Sequence, residues 1–154
     1  MSAPGTPLTV ATDGSALGNP GPGGWAWVRA DRTVESSGEA AARTTNNAME
    51  LAAIAAALRA HPGVALVIES DSQYAINCVT RWAHGWARRG WVTKDNKPVA
   101  NRELIEEILA LSAGRSVEYR WVRGHDGHVA NERADMLARN AATAAAVRIA
   151  RRRA

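Results

Sequence analysis

Two apolar runs, Leu8-Thr9-Val10-Ala11 and Val64-Ala65-Leu66-Val67-Ile68, each give way within three residues to an aspartate, Asp13 and Asp71. Short apolar runs bounded by turn signals read as buried strands. Between them, Arg43-Thr44-Thr45-Asn46-Asn47 supplies N-cap formers, and an alanine-rich helix follows from about Asn46 to Ala60, stopped by His61-Pro62-Gly63. A strand entered from a helical crossover lies parallel to its neighbour. Asp13 and Asp71 then reach the same edge of one α/β sheet, side by side if the first and fourth strands are adjacent. That carboxyl edge is where open α/β sheets bind ligands. Two carboxylates brought together repel unless a cation or a shared proton relieves them.

The other segments complete the sheet. Gly14 to Gly24 holds five glycines and two prolines in eleven residues, which predicts a tight reversing loop. It is not a phosphate-binding P-loop, because the Gly-Lys-Ser/Thr ending is missing. Gly24–Ala30 reads as a second strand, and a turn at Asp31-Arg32 leads to a third over about Thr33–Ala42, polar enough for a sheet edge. Short connections make these three an antiparallel meander. Helices are expected over Ser72–Thr80 and Asn101–Ser112, the latter with Glu103, Glu106 and Glu107 as solvated charges. Val117–Val122 reads as a fifth strand. A final helix starts near Val129, with Asn131 and Glu132 early and Asp135 inside it. Glu50 falls near the start of the first helix, among apolar neighbours and close to where the strands end.

Composition narrows the class. A chain of 154 residues suits one domain, divided here into a tail (1–7), a folded body (8–140) and an Ala/Arg-rich tail (141–154) whose Arg151-Arg152-Arg153 is expected to fray. The single cysteine, Cys78, excludes an internal disulfide and a multi-cysteine metal cluster, and its helical setting predicts a packed thiol. His125 and His128 are three apart, but zinc needs three to four close ligands and no partner cluster exists. No apolar run approaches the roughly 18 residues of a membrane span, and Met1–Pro7 lacks the apolar segment of a signal peptide, so a soluble cytoplasmic protein is expected.

The net charge of +4 is unevenly spread. Residues 81–102 hold six Lys/Arg against one Asp, and residues 139–154 hold five Arg and no acid, leaving an acidic body. Basic segments on an acidic body point to a polyanion outside and a cation site inside. The segment 81–98 also carries Trp82, Trp86 and Trp91 among Arg81, Arg88, Arg89, Lys94 and Lys97. Interleaved Trp and Arg/Lys suit binding along a nucleic-acid backbone.

Four carboxylates, Asp13, Glu50, Asp71 and Asp135, converging at one edge would need about two divalent cations for neutrality. Hard oxygen ligands select Mg²⁺ or Mn²⁺ over zinc. Six motifs occur in the order Thr12-Asp13-Gly14-Ser15, Gly18-Asn19-Pro20-Gly21-Pro22-Gly23-Gly24, Thr44-Thr45-Asn46-Asn47-Ala48-Met49-Glu50, Ser70-Asp71-Ser72-Gln73-Tyr74, Gly124-His125-Asp126-Gly127-His128 and Asn131-Glu132-Arg133-Ala134-Asp135. Together they resemble the bacterial type 1 ribonucleases H over about residues 8–140. The resemblance implies a five-stranded mixed sheet of order 3-2-1-4-5 flanked by helices, with residues 81–98 as a basic protrusion. It implies an endonuclease that cleaves the RNA strand of RNA–DNA hybrids, leaving 5′-phosphate and 3′-hydroxyl ends.

By the same resemblance, Asp13 bridges two Mg²⁺ ions, for which Mn²⁺ can substitute. Asp71 holds the nucleophile-side ion, Glu50 and Asp135 complete the leaving-group side, and His125 assists proton transfer or product release. Asn19, Asn46, Asn47 and Gln73 match contacts to the RNA strand, and Arg43, Thr45 and Asn101 match a pocket for a DNA phosphate. Trp82 and Trp86, with Arg88 and Arg89 in the basic segment, match the groove along the DNA backbone. Many relatives carry a basic residue where this chain has Ala48, so hybrid affinity is expected to differ somewhat. Two other readings fit the motifs less well. A non-catalytic hybrid-binding module would carry the repulsion of four acids unused. A retroviral-type or integrase-like nuclease would not need the basic segment and the His125 loop. A monomer is expected.

Overall fold

The computed structural model describes residues 6–123 and 128–153. Strands β1 (Leu8–Ala16), β2 (Gly21–Arg29) and β3 (Glu35–Thr44) form an antiparallel meander. Helix α1 (Asn46–Ala60) crosses back to β4 (Leu66–Ser70), which pairs parallel with β1, and β5 (Val117–Trp121) pairs parallel with β4. The sheet order is β3-β2-β1-β4-β5, the expected arrangement. Between β4 and β5 run α2 (Gln73–Asn77), a π-helical turn (Cys78–Trp82), α3 (Ala83–Arg88) and α4 (Arg102–Ser112), and α5 (Val129–Arg153) follows β5.

Alternation along the strands sorts side chains between two cores. Val10, Trp27, Leu66 and Ile68 face α1 and α4, meeting Leu51, Ile54, Leu58, Ile105 and Ile108. The next residues over, Ala11 and Val28, face α5 and meet Ala130, Ala134 and Leu137. The α1 layer is large and branched, while the α5 layer is mostly alanine and lies directly on the strands.

That closeness corrects the expected loop from Gly14 to Gly24. β1 continues to Ala16 and β2 begins at Gly21, so only Leu17–Pro20 turn. Several of the glycines lie in strands because neighbours leave no room for a side chain. A β-carbon on Gly24 would stand 2.5 Å from the Ala138 carbonyl oxygen, and one on Gly14 would stand 2.2 Å from the Met49 carbonyl carbon. The frayed tail is corrected too. α5 is continuous to Arg153, with Ala141, Ala142 and Ala145 buried and Arg148 paired to Glu39 of β3 at 2.9 Å. Ala141, Ala142, Ala144, Ala145 and Ala146 are strong helix formers, and three of them have a sheet to pack on.

The end of α1 is held from a distance. Arg115 donates from one guanidinium to the carbonyls of Leu58, His61, Val64 and Leu111. His61 is buried, its Nδ1 on the Ala57 carbonyl at 2.7 Å and its Nε2 accepting from Arg29 at 3.1 Å. Cys78 is fully buried as expected, and burial raises its thiol pKa. On α4, Glu106 and Glu107 pair with Arg102 and Arg59, while Glu103 is exposed. Among the described residues, no helix is long and apolar enough to cross a membrane.

Candidate active site

Asp13 lies within β1, opposite Ala26 of β2 and two residues beyond the last pairing with β4, and is 7% exposed. Its Oδ1 accepts from the Gly14 amide at 2.9 Å. Glu50 comes from α1, whose start is fixed by Thr45 as N-cap, its hydroxyl accepting from the Ala48 amide at 3.0 Å. Because Gly14 has no side chain, α1 settles with Met49 and Glu50 against β1, and Glu50 is 8% exposed. Asp71 follows the last residue of β4 and is exposed. One carboxylate oxygen from each of Asp13, Glu50 and Asp71 lies within 4.8 Å of the others.

This crowding alters the protonation of the acids. Burial pushes the Asp13 carboxyl up to about 7, with the Asp71 charge adding to the rise and hydrogen bonds from Glu50 and the Gly14 amide opposing it. Burial, and then the negative charge of Asp13, hold Glu50 well above the usual carboxylate range. A proton shared by this pair relieves the repulsion in the metal-free protein. Glu50 Oε2 is buried without a hydrogen-bond partner. Hard oxygen donors, an orphaned buried carboxylate oxygen and crowded like charges are the donor set of a divalent-cation site. Asp13, Glu50 and Asp71 could hold such an ion.

Asp135 lines the same cleft as Thr12, Asp13, Asp71, Val122, Asn131 and Glu132. It is not within the group of three close acids, and its Oδ2 is taken by the Arg139 guanidinium one turn along α5, at 2.5 Å. His125 lies outside the described residues.

The polar residues expected to contact nucleic acid form two groups. Asn19 Oδ1 accepts from the Asn46 amide at 3.0 Å, and Asn46 Oδ1 accepts from the Ala16 amide at 2.8 Å, tying the turn before β2 to the start of α1. Asn46, Asn47, Arg43 and Gln73 are exposed. Asn101 adopts a left-handed backbone (φ 63°) and donates to the Tyr74 hydroxyl at 3.0 Å. An aromatic row runs Tyr74, Trp82, Trp86, Trp91, with successive centroids 6.4, 5.8 and 6.5 Å apart. Trp91 is buried and Arg102 covers its ring at 5.3 Å, whereas Trp82 is exposed. Trp82 and Trp86 share a shallow depression with Arg81, Arg89, Thr93 and Lys94, and Arg88 is exposed beside it. The tryptophans therefore both fix the protrusion and face solvent.

Sequence reasoning passed over two residues at this edge. Asn131 Oδ1 is buried in the acid cleft without a partner. Its spacing of four from Asp135 along a helix was a usable signal. Trp121, exposed at the end of β5, donates its indole N–H to the Asp71 carbonyl at 3.2 Å. Only the β4–β5 register, which pairs Ser70 with Trp121, reveals that neighbour.

The chain matches the RNase H family over residues 5–143. It is 50% identical over 135 residues to a protein of Nitratidesulfovibrio vulgaris named Ribonuclease H, covering 86% of each chain. Among solved structures, LC9-RNase H1, described as a type 1 RNase H with the type 2 active-site motif, superposes with a TM-score of 0.77 at 35% identity, covering 94% of this chain and 76% of that one. LC11-RNase H1, solved in complex with an RNA/DNA hybrid, superposes with a TM-score of 0.67 at 25% identity, covering 90% and 98%. With its sheet order, its crowded acids and this likeness along most of its length, the chain belongs to the RNase H family of ribonucleases.

Proposed function

We propose that this protein is an endoribonuclease that hydrolyses the RNA strand of RNA–DNA hybrids with two divalent cations, Mg²⁺ or Mn²⁺, leaving 5′-phosphate and 3′-hydroxyl ends. The observation that carries the reading is the cluster of Asp13, Glu50 and Asp71, whose ligand oxygens lie within 4.8 Å of one another. Its support in the comparisons is the family match and the hybrid complex of LC11-RNase H1.

Cations at this cluster would supply charge stabilisation at phosphorus and a water acidic enough to attack near neutral pH. The chain's own groups do the rest. Asp13 would be a ligand shared by the ions, and Asp71, the exposed one of the three, would face incoming substrate. Glu50 presents its orphaned oxygen, and Asp135 completes the set by turning from Arg139. His125 carries the proton to or from the reacting oxygens. Asn19, Asn46, Asn47 and Gln73 read the 2′-hydroxyls that distinguish RNA. Arg43, Thr45 and Asn101 hold a DNA-strand phosphate, and Trp82, Trp86, Arg88 and Arg89 follow the DNA backbone. The working form is a cytoplasmic monomer, in keeping with a complete set of acids on one chain.

The test is cleavage of end-labelled hybrid, duplex DNA and double-stranded RNA with and without Mg²⁺. Mg²⁺-dependent cuts confined to the RNA of the hybrid are expected. Bound but uncut hybrid in Mg²⁺ and in Mn²⁺ would refute the reading.

A further inference from the structure

The last residues of β5 and the two that follow show an alternation that the proposed chemistry does not use. Val122 is buried and lines the acid cleft, and its amide donates to the Ser70 carbonyl at 2.9 Å. Trp121 and Arg123, on either side, turn the opposite way and are exposed. Trp121 is 44% exposed, an unusual setting for the largest side chain. Its ring is held at two points: the indole N–H on the Asp71 carbonyl at 3.2 Å, and the Arg123 guanidinium 5.9 Å from the ring centroid. The result is an oriented flat apolar surface, a cation on it, and a backbone hydrogen bond to the residue that bears a cleft acid.

Its place along the sheet edge is as informative as its chemistry. In the order β3-β2-β1-β4-β5, the Asn19–Asn46 turn lies on the β2 side of Asp13, and Trp121 lies on the far side of Asp71. Polar amide groups, acids, then an aromatic with a guanidinium make one continuous row. Stacking on an exposed aromatic and pairing of Arg with phosphate are the two sequence-tolerant ways to hold a nucleic-acid strand. The neighbouring charges of β5 do not oppose this, because Arg120 occupies both Glu69 and Glu118 at 3.7 and 3.2 Å.

We propose that Trp121 and Arg123 form a substrate-binding platform that grips the nucleic-acid strand where it leaves the acid cleft past Asp71, Trp121 by stacking and Arg123 by contact with a phosphate. This rests on the hybrid as substrate, and it adds two binding residues on β5, beyond the protrusion and the α1 cluster.

The experiment is a fluorescence-anisotropy titration of a labelled RNA–DNA hybrid in EDTA, so that binding is read without cleavage, at several salt concentrations. Wild type, Trp121→Ala, Trp121→Phe and Arg123→Ala are compared, with melting temperatures confirming the fold. Trp121→Ala is expected to weaken binding roughly 5- to 30-fold. Trp121→Phe, which keeps a stacking face but loses the indole N–H, stays within about threefold of wild type by that same stacking argument. Arg123→Ala reduces the slope of log affinity against log salt by about one. Unchanged affinity and salt slope in Trp121→Ala and Arg123→Ala would overturn the platform. Equal losses in Trp121→Phe and Trp121→Ala would overturn it as well, because the ring would then act only by propping the Asp71 backbone. If Trp121→Ala fails to fold, Trp121→Phe and the Arg123→Ala slope decide. A wild-type protein that does not bind or cut hybrid fails the proposed function instead, and the two failures are distinct.

Discussion

At Asp13 the structure carries a cost that a cation would lift. The carboxyl sits at about 7, well above its usual range, because burial strips it of water and Asp71 adds charge. The folded chain therefore keeps a proton that the unfolded chain has already released between about pH 4 and pH 7. Stability of the metal-free protein is full below that window and falls as pH rises through it. Asp13→Asn removes this loss. At pH 8 without metal the variant should melt about 4–8 °C higher than wild type, for a gain on the order of 2 kcal/mol. The same variant should lose cleavage, and a scan at pH 4 should show little difference. Equal melting temperatures at pH 8 would mean the cluster carries no such strain. Divalent-cation uptake by wild type should strengthen across the same rise in pH, since ion and proton compete for the same oxygens. That Asp13 and Asp71 reach one edge of the sheet was legible, since each closely follows an apolar run. Its protonation was not, because burial by Glu50 and α1 depends on partners dozens of residues away.

At the level of the elements, boundaries followed local rules wherever the cap was local. Thr45 opens α1 by its own hydroxyl, and the helix spans Asn46–Ala60 as its sequence predicts. The other end depends on Arg115, whose guanidinium satisfies four carbonyls, a partnership that no pattern within residues 46–63 announces. Arg115→Ala leaves those acceptors short of donors and should destabilise the fold by about 2–3 kcal/mol, read by urea denaturation. Arg115→Lys should recover little, because one ammonium cannot reproduce the planar fork. A neutral Arg115→Ala would show that water serves these carbonyls as well. The strand ends near Gly14–Gly24 misled for a related reason. Glycine is a turn signal by itself, but here Met49 and Ala138 approach so closely that only glycine fits inside the strands.

For the whole molecule, the two faces of the sheet are closed by different means, and α5 is the longer commitment. Its 25 residues run from the acid cleft to the β3 edge, and its buried face is alanine as far as Ala145. A chain ended after Asn140 loses Ala141, Ala142 and Ala145 from the sheet and should be less stable by about 2.4 kcal/mol, at roughly 0.8 kcal/mol per buried methyl-sized group. Its melting temperature should fall by about 5–10 °C. A chain ended after Arg148 keeps those contacts and the Glu39 pair, and should melt within about 2 °C of the full chain, because only surface residues are removed. Equal stability of the shorter form would mean that residues beyond Asn140 do not hold the sheet.

The sequence by itself determined the strands that carry Asp13 and Asp71 to one edge and the helix between them. Those features follow from periodicity, capping and the handed crossover, which act between residues near in the chain. The tertiary structure alone decided that Glu50 is buried against Asp13, that Arg139 holds Asp135, and that Trp121 rests on the Asp71 carbonyl. Burial, shared protons and cross-strand contacts are properties of neighbours in space, and the chain brings those neighbours together only after its strands have found their register.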